Sequence, residues 1–237
     1  MAAMEQSKAT GLRARVRAEM VEEIKQTARR HLAAEGAPNL SLRAVAREVG
    51  LVSSAIYRYY PSRDELLTAL ILDAYNALGE AVEQADAAVE RADIPGRFDA
   101  ACHAVRTWAL ANPHEYALTY GSPVPGYAAP MDTVEPANRP VVVLMRIVAD
   151  GVAAGVIRRP VADWLPLTVH TEVERIANLM MPGIPVTILA RGMVAWTELF
   201  GAVSFEVFGR LRNVFEDTEA WFGHQVLTMA RLVGVRP

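Results

Sequence analysis

Hydrophobic side chains recur at helical spacing along nearly the whole chain. In the first segment they stand at every fourth position over residues 16–32, and Gly36 followed by Pro38 ends the predicted helix. No run of alternating apolar and polar residues lies between hairpin turns, as a strand would require. The sequence therefore predicts an all-α protein with about nine helices.

Two short helices joined by a tight turn are predicted next. Ser41 is placed as the N-cap of the first helix, which ends at Gly50. The second covers residues 55–60 and is cut off by Pro61. This is the spacing of a helix-turn-helix, in which the second helix enters the major groove of DNA.

The remaining pattern predicts a series of longer helices. Ser62 and Glu65 form a capping box in front of a long helix that continues to about Val89. The stretch 121–130 is too rich in proline and glycine for a helix and is predicted as a structured loop. Further helices are predicted at 97–110, 113–120, 137–154, 187–212 and 216–233.

Charge is distributed unevenly along the chain. Residues 1–70 contain 11 basic and 8 acidic side chains, whereas the remainder contains 13 and 19. The net charge of -3 therefore conceals a small basic N-terminal part joined to a larger acidic body. We predict a helix-turn-helix DNA-binding domain over residues 1–65, with a flexible tail over 1–12, and a helical ligand-binding and dimerisation domain over 66–237.

Length and residue usage exclude several classes of protein. With 237 residues, of which 52% are hydrophobic, the chain can build a large core and is too apolar for a disordered protein. The single cysteine, Cys102, rules out an intramolecular disulfide and a cysteine-built metal cluster. The longest uncharged stretch, residues 116–131, has 16 residues and contains three prolines, whereas a membrane span needs about 20 residues. We therefore predict a cytoplasmic protein without a membrane segment.

Motifs of catalysis and cofactor binding are missing from the sequence. The five histidines form no HExxH or comparable metal pattern, and there is no GxSxG elbow, P-loop or GxGxxG. Cys102 and His103 are adjacent, so on a helix they would point in different directions and could not act as nucleophile and base. We predict that the chain is not an enzyme and uses no cofactor or metal.

The predicted turn places polar and basic side chains on one outer face. Ile56 and Tyr60 are four residues apart and are assigned to the core, which leaves the residues around them to face outward. The predicted DNA-binding residues are Arg43, Ser53, Ser54, Tyr57, Arg58, Tyr59 and Arg63.

Roles for these residues follow from side-chain chemistry. Arg58 is predicted to read a guanine and Tyr57 to donate its hydroxyl to a phosphate. Arg43 and Arg63 are predicted to neutralise backbone charge, and the arginines at 13, 15 and 17 to follow the backbone or enter a minor groove. The alternative is an ordinary all-α protein with the same spacing, whose surface arginines are only solvated.

The segment LRAVAREVGLVSSAIYRYYPSRDELL, residues 42–67, resembles the N-terminal signature of the tetracycline-repressor (TetR) family of bacterial regulators. Val52 stands where the family usually has a capping serine, and Tyr59 where histidine is frequent. The resemblance implies a homodimer that binds a palindromic operator, and most such proteins are repressors released by a small ligand. The positions that carry it are Gly50, Tyr57, the pair Tyr60 and Pro61, Arg63, and the pair Leu66 and Leu67.

The last two predicted helices are too apolar for the surface of a monomer. Residues 196–201, WTELFG, resemble one subgroup of the same family, with Phe200 where a histidine is often found. Two such helices from each subunit would form a four-helix bundle; the alternative is that they close the core of their own subunit. The predicted dimer residues are Trp196, Leu199, Phe200, Val203, Val207, Trp221, Phe222 and Leu227.

A ligand cavity is predicted among the central helices, for a small effector that is uncharged or mostly apolar. His170, with Glu172 or Glu174, could receive a polar group of that effector. Two alternatives stay open: these side chains are ordinary core, and the protein binds DNA without any small-molecule effector. The predicted ligand-binding residues are Trp108, Tyr116, Tyr120, Met145, Trp164, His170, Met180 and Met181.

Overall fold

The computed structural model describes the backbone of residues 2–158 and 164–235, and the side chains of residues 12–158 and 164–235. Over these ranges the chain forms nine α-helices and three short 3-10 turns and contains no strand, which confirms the all-α class. The α-helices are α1 (Ala2–Glu35), α2 (Leu42–Glu48), α3 (Arg63–Ala87), α4 (Ile94–Ala111), α5 (Pro113–Tyr120), α6 (Val134–Ala153), α7 (Leu167–Met180), α8 (Val186–Val207) and α9 (Thr218–Val233).

Helix α1 begins at Ala2, much earlier than the periodic pattern indicates. Residues 2–12, which the sequence predicts as a flexible tail, are the first turns of this helix, while Met1 lies outside the described residues. The stretch has no proline and is rich in Ala, Met, Glu, Gln and Lys, so a helix nucleated further along can propagate into it. The predicted inner face of α1 is confirmed for Ile24, Ala28 and Leu32, which are buried, whereas Val16 is 54% exposed.

The set of nine helices differs from the predicted set in two places. Residues 55–60, predicted as a two-turn helix, form only a turn and a 3-10 segment over Ile56–Arg58. Helix α7 is present although no helix is predicted in that part of the sequence, and it restores the total of nine among the described residues. Its buried residues are Val173 and Ala177, which are four positions apart on one face, so the spacing that predicts this helix was present in the sequence.

The described chain folds as two compact units. Unit 1 covers residues 2–74 and 114–133, and unit 2 covers 75–113, 134–158 and 164–235. Most of α5 and the loop 121–130 therefore belong with the helix-turn-helix, and α3 continues from unit 1 into unit 2. The functional division predicted between residues 65 and 66 stays a prediction.

The core of unit 1 is a single cluster built from α1, α2, the first turns of α3 and the loop after α5. The hydroxyl groups of Thr68 on α3 and Tyr127 in that loop lie 2.9 Å apart, which holds the predicted structured loop onto the unit. The buried members of the cluster are Ile24, Ala28, Leu32, Leu40, Leu42, Val45, Ala46, Ile56, Tyr60, Leu66, Leu67, Leu70 and Val124.

In unit 2, helices α4, α6, α8 and α9 pack against one another and α7 packs on α8. Asp93 and Asp217 cap α4 and α9, because their carboxylates accept backbone N–H bonds from Gly96 at 2.9 Å and Ala220 at 2.8 Å. Cys102 on α4 is fully buried, and this burial raises the pKa of its thiol, so the side chain is an inert part of the core.

Arg97 is fully buried in unit 2 and connects three helices. Its guanidinium donates two hydrogen bonds to Asp86 on α3, at 2.7 and 3.2 Å, and one to Asp150 on α6, at 2.9 Å. The hydrogen bonds to Asp86, followed by those to Asp150, raise the pKa of Arg97. The side chain thus joins α3, α4 and α6 around one desolvated cation.

Arg106 makes a similar connection between α4, α8 and α9. It donates two hydrogen bonds of 2.7 Å to Glu206 and also pairs with Glu219. Burial raises the pKa of Glu206, but hydrogen bonds from Arg106 and Thr218 outweigh it and hold that pKa below its ordinary value. The position of the two last helices against α4 therefore depends on an ion pair as well as on apolar packing.

Among the described helices, α8 alone is long and apolar enough to cross a membrane when only length and composition are considered. Half of its most apolar window is buried inside the protein. Buried core helices commonly show that same combination.

Candidate nucleic-acid interface

The turn between the two short segments of the helix-turn-helix is built from local hydrogen bonds. The Ser41 hydroxyl accepts the Ala44 N–H at 3.4 Å and so caps α2, as predicted. At the other end, the Leu51 N–H donates to the Ala46 carbonyl at 2.8 Å. This reversal requires a positive φ at Gly50, which is 73° and which a side chain would disfavour.

The segment after the turn is tighter than an α-helix. The Arg58 and Tyr59 N–H groups donate to the carbonyls three residues earlier, at 3.1 and 2.9 Å. Pro61 follows directly and disfavours the α conformation at Tyr60. The predicted helix over 55–60 is therefore replaced by one 3-10 turn, which is the geometry favoured for so short a segment.

The predicted inner face of this recognition segment, residues 53–59, is confirmed. Ile56 is fully buried and Tyr60, directly after the segment, is 8% exposed; both belong to the same cluster as Val45 and Ala46 of α2. Burial raises the pKa of Tyr60, because a phenolate would be poorly solvated there. Because Ile56 and Tyr60 are buried, the side chains between and before them on the segment are left exposed or half-exposed.

The outer face carries four of the predicted DNA-binding side chains. Ser53, Ser54 and Arg58 are exposed, and Tyr57 is 44% exposed. Small serines at the start of the segment leave room for a close approach of DNA, and the tyrosine hydroxyl and guanidinium supply donors. The structure thus brings these residues together on one accessible surface.

Three arginines of this surface have no protein partner. Within the described residues, the side chains of Arg43, Arg47 and Arg58 make no hydrogen bond or ion pair, and all three are exposed. Arg43 and Arg47 also line an open depression beside Ser41 and Ser53. A depression with two uncommitted guanidinium groups and two hydroxyls matches the chemistry of a phosphate group.

Tyr59 and Arg17 form a support for the recognition segment. The Arg17 guanidinium lies 5.0 Å from the centre of the Tyr59 ring and donates a hydrogen bond of 3.0 Å to the Arg58 carbonyl. Tyr59 is only half-exposed. Arg17 of α1 is thus held against the segment, where it positions Arg58, and a DNA contact by Arg17 or Tyr59 stays a prediction.

Arg63 is bound within the helix-turn-helix itself. Its guanidinium donates to three backbone carbonyls, those of Ala37 at 2.7 Å, Leu40 at 3.2 Å and Pro38 at 3.2 Å. These carbonyls lie in the short connection between α1 and α2. Three of its five N–H donors are used in this way, so Arg63 stabilises the helix-turn-helix, and a phosphate contact by its remaining donors stays a prediction.

Arg47 is a surface cation that sequence reasoning missed. It stands four residues after Arg43 on α2, so both lie on the same helix face. That spacing was visible in the sequence. The support given by Arg17 had no comparable signal, because it joins side chains that are 42 positions apart.

A charged network behind this surface holds α3 against α1. Asp73 of α3 accepts hydrogen bonds from Lys25 at 2.8 Å and from Arg29 at 2.6 Å. Burial lowers the pKa of Lys25, but hydrogen bonds to Asp73 and Glu22 outweigh it and raise that pKa overall. The helix that leaves the recognition segment therefore starts from a fixed position within unit 1.

Comparison with known proteins identifies the family. Residues 24–70 match the description "Bacterial regulatory proteins, tetR family", and residues 98–229 match "Tetracyclin repressor-like, C-terminal domain". The chain belongs to the TetR family. The HTH-type transcriptional regulator Rv1816 of Mycobacterium tuberculosis is 41% identical over 202 residues, covering 84% of this chain and 86% of the relative, and the regulator Mb1846 of Mycobacterium bovis gives the same values.

A solved structure supports the same assignment over almost the full length. The regulatory protein SCO4313 is 31% identical, with a TM-score of 0.76, and the match covers 91% of this chain and 97% of that one. This TetR-family chain is therefore a helix-turn-helix transcriptional regulator that binds DNA. Its family and named relatives are regulators rather than enzymes, which agrees with the sequence prediction.

The predicted ligand-binding residues of this TetR-family protein are distributed over both units. Met145, Met180 and Met181 line one cavity in unit 2. Tyr116 and Tyr120 stack at 5.1 Å within α5, in unit 1, and do not line that cavity. The reason is that α5 packs with the helix-turn-helix core, a placement that its aromatic residues alone do not reveal.

The other three predicted ligand-binding residues do not line that cavity either. Trp108 is half-buried on α4, and Trp164 is 81% exposed. His170 lies on α7 with its Nδ1 atom 4.0 Å from a carboxylate oxygen of Glu174, both side chains being largely solvated. Trp196, predicted at the dimer interface, is also a lining residue of the cavity, and its place at an interface stays a prediction.

The predicted dimer residues also divide into two groups. Leu199, Val203 and Phe222 are at most 1% exposed within a single subunit, so they have no surface to offer a partner and close the core of unit 2. Leu227 is 43% exposed. Phe200, Val207 and Trp221 are half-buried. A helix that is apolar on most faces does not show from its sequence which face points inward.

Proposed function

We propose that this TetR-family regulator is a cytoplasmic homodimeric repressor that binds a palindromic operator and is released by a small, mostly apolar effector. The observation that carries the proposal is an apolar cavity of about 300 Å³ in unit 2. This volume is at the lower end of the range of about 300–1,000 Å³ found for small-molecule sites. The effector is therefore a compact molecule.

The lining of this cavity suits an apolar body. Four methionines contribute to the wall, and methionine adapts its shape to a ligand because it has three rotatable bonds and a polarisable sulfur. Trp196 contributes the aromatic surface. The remaining apolar lining consists of Val141, Val142, Ile176 and Leu189.

Helix α6 supplies a route from the cavity to the DNA-binding unit. Asn138, Val142 and Met145 line the cavity, while Arg139 on the same helix holds α3. The Arg139 guanidinium donates to both carboxylate oxygens of Glu83, at 2.9 and 2.7 Å. A shift of α6 around a ligand would therefore displace α3, the helix that begins directly after the recognition segment.

Helices α3 and α6 are joined by close packing as well as by this ion pair. Arg139 also donates to the carbonyl and side-chain oxygens of Asn76, at 3.1 and 2.9 Å. A side chain at Gly79 of α3 would stand 2.7 Å from the Arg139 Nε atom. The absence of a side chain at that position lets the guanidinium lie against the helix.

Repression requires that two recognition segments face one side of DNA. In a two-fold symmetric dimer, palindromic half-sites lie about 34–36 Å apart, one turn of the duplex. Exposed apolar side chains near the end of the chain suit contact with a second copy. They are Val194, Phe205, Phe208, Val214 and Leu227.

Release needs a difference in affinity rather than tight binding alone. Moving the protein from mostly competent to mostly incompetent requires about 5 kcal/mol of preference for the incompetent conformer. A ligand that binds both conformers equally changes nothing. The proposal therefore predicts that effector affinity falls when operator is bound, since the coupling is reciprocal.

The first test is selection of bound sequences from a random duplex pool with the purified protein, followed by titration of the selected duplex at several salt concentrations. We expect enrichment of a palindrome with half-sites about one turn apart. Sedimentation of the complex should show two subunits on each duplex. Enrichment of a single half-site by one subunit would contradict the dimeric part of the proposal.

The second test is release of that duplex by a library of small apolar and mostly apolar compounds. We expect at least one compound to bind the protein and to lower operator affinity. The matched variant Arg139→Gln should retain compound binding while its operator release is weakened. A compound that occupies the cavity without changing operator affinity would support the alternative, a DNA-binding protein without a small-molecule effector.

A further inference from the structure

One cation stands at an otherwise uncharged cavity. Among the described residues that line the unit 2 cavity, Arg146 is the charged side chain and Asn138 is the amide, whereas the other nine are apolar. No acidic side chain contributes to this wall. An apolar cavity with a single positive group favours a ligand that has one negative group on an apolar body.

Arg146 is not committed elsewhere. Within the described part of the chain its guanidinium makes no hydrogen bond, and no carboxylate oxygen lies within 4.0 Å of it. Its charge does reach Glu83, whose pKa it helps to lower, but that carboxylate is already bound by Arg139. This separates Arg146 from the arginines of unit 2 that hold helices together.

We propose that the effector of this regulator is an apolar monocarboxylic acid whose carboxylate pairs with Arg146. The inference rests on the function proposed above and assigns the chemical class of its ligand. A guanidinium offers two parallel N–H donors to one carboxylate, which a neutral or cationic ligand cannot use. The apolar remainder of the acid fills the methionine-lined space.

The position of these residues links the ligand charge to the DNA-binding unit. Asn138 and Arg146 lie on α6, the helix whose Arg139 holds Glu83 of α3. A carboxylate bound at Arg146 would neutralise a cation that helps to lower the pKa of Glu83. The proposed acid site at Arg146 and the ion pair between Arg139 and Glu83 of α3 therefore both involve helix α6.

The test uses two pairs of probes that differ in charge but have nearly the same shape, octanoate with octanamide and benzoate with benzamide. Calorimetric titration of the full-length protein should give at least about 10-fold tighter binding for the better acid than for its amide. The preference should disappear as the pH is lowered through the pKa of the ligand's own carboxyl group, because the protonated acid is neutral.

Four variants locate the effect. Arg146→Gln should remove the preference for acid over amide, and Arg146→Lys, which keeps the charge, should retain part of it. Val142→Trp, which narrows the cavity, should weaken both members of a pair. Arg175→Gln is the matched control, because Arg175 lies on α7 outside the cavity and pairs with exposed Glu172.

Each result decides between the two proposals. Equal affinity for acid and amide, persistence of the preference in Arg146→Gln, or no binding of any probe at millimolar concentration would overturn the carboxylate proposal. Release of the operator by a neutral compound would leave the effector-responsive repressor intact while rejecting the acid class. Circular dichroism of every variant checks that a lost preference reflects the missing charge and not unfolding.

Discussion

Arg58 and Arg97 are the same residue type in two regions of one regulator, yet they do opposite things. Arg97 in unit 2 is fully buried and is bound by two carboxylates. Arg58 in unit 1 is exposed, and its side chain has no partner within the described residues. Arg97 is needed to complete the fold, whereas the side chain of Arg58 is available to bind a partner.

The difference shows where function can be looked for in a protein of this class. A guanidinium surrounded by protein acceptors has a structural reason to be present. One that stays solvated while its neighbours are anchored costs little stability and is free to bind an external anion. Arg43, Arg47 and Arg58 on the outer surface of the helix-turn-helix and Arg146 at the cavity share this state.

The substitution with the largest expected effect on stability is Arg97→Met. Removing this cation leaves Asp86 and Asp150 without their buried partner, which we expect to lower the free energy of unfolding by about 3 kcal/mol or more. Urea unfolding followed by circular dichroism measures the change. Arg231→Met, at an exposed position on α9, is the control and should change stability by less than about 0.5 kcal/mol. A loss below about 1 kcal/mol for Arg97→Met would contradict its structural role.

Arg58→Ala should affect DNA recognition without affecting the fold. We expect a loss of about 1–3 kcal/mol of preference for the selected operator, with an unchanged urea midpoint. Competition binding against duplexes altered at single positions measures the preference. Arg43→Ala is the comparison: it should weaken binding to all duplexes and lower the salt slope by about 1. Identical behaviour of the two variants would reject the separate roles.

Arg63→Met tests an arginine of unit 1 that behaves like those of unit 2. Loss of its bonds to Ala37, Pro38 and Leu40 should lower the free energy of unfolding by about 1–2 kcal/mol, since the guanidinium is partly exposed. Operator binding by the folded fraction should keep its salt slope. A lowered salt slope at unchanged stability would restore the phosphate contact predicted from the sequence.

The smallest effect is a pH dependence from Glu206. Its pKa is lower in the folded protein than the ordinary value of 4.5. Its contribution to stability is therefore fully present above the unfolded pKa and is lost as the pH falls through the folded pKa. Below pH 4.5 the free energy of unfolding of the wild type should therefore fall more steeply than that of Glu206→Gln. Parallel curves for the two proteins would show that the Arg106 pair contributes nothing.

Much of the helix-turn-helix could be predicted from the sequence because its determinants are local. The Ser41 cap, the turn at Gly50 and the stop at Pro61 act over a few residues, and the spacing of Ile56 and Tyr60 gives the inner face. The same reasoning overestimated the helix after the turn. Pro61 leaves a segment that is too short for two α-helical turns, and only a 3-10 turn forms there.

The cavity and the dimer surface were less accessible from the sequence. Aromatic residues such as Tyr116 were expected at the ligand site, but α5 packs in unit 1. Trp196 was assigned to the interface, and it also lines the cavity. Helix α8 is apolar around much of its circumference, so periodicity could not separate Leu199 in the core from Phe205 on the surface.

The sequence by itself determined the all-α class, the family, the turn of the helix-turn-helix and the outer face of the recognition segment, since each depends on contacts between near neighbours in the chain. Only the tertiary structure decided which arginines are free. Whether a guanidinium is bound depends on acceptors that are distant in sequence, such as Asp150 for Arg97 or the 37–40 connection for Arg63. Those acceptors come within hydrogen-bonding distance only when the helices pack.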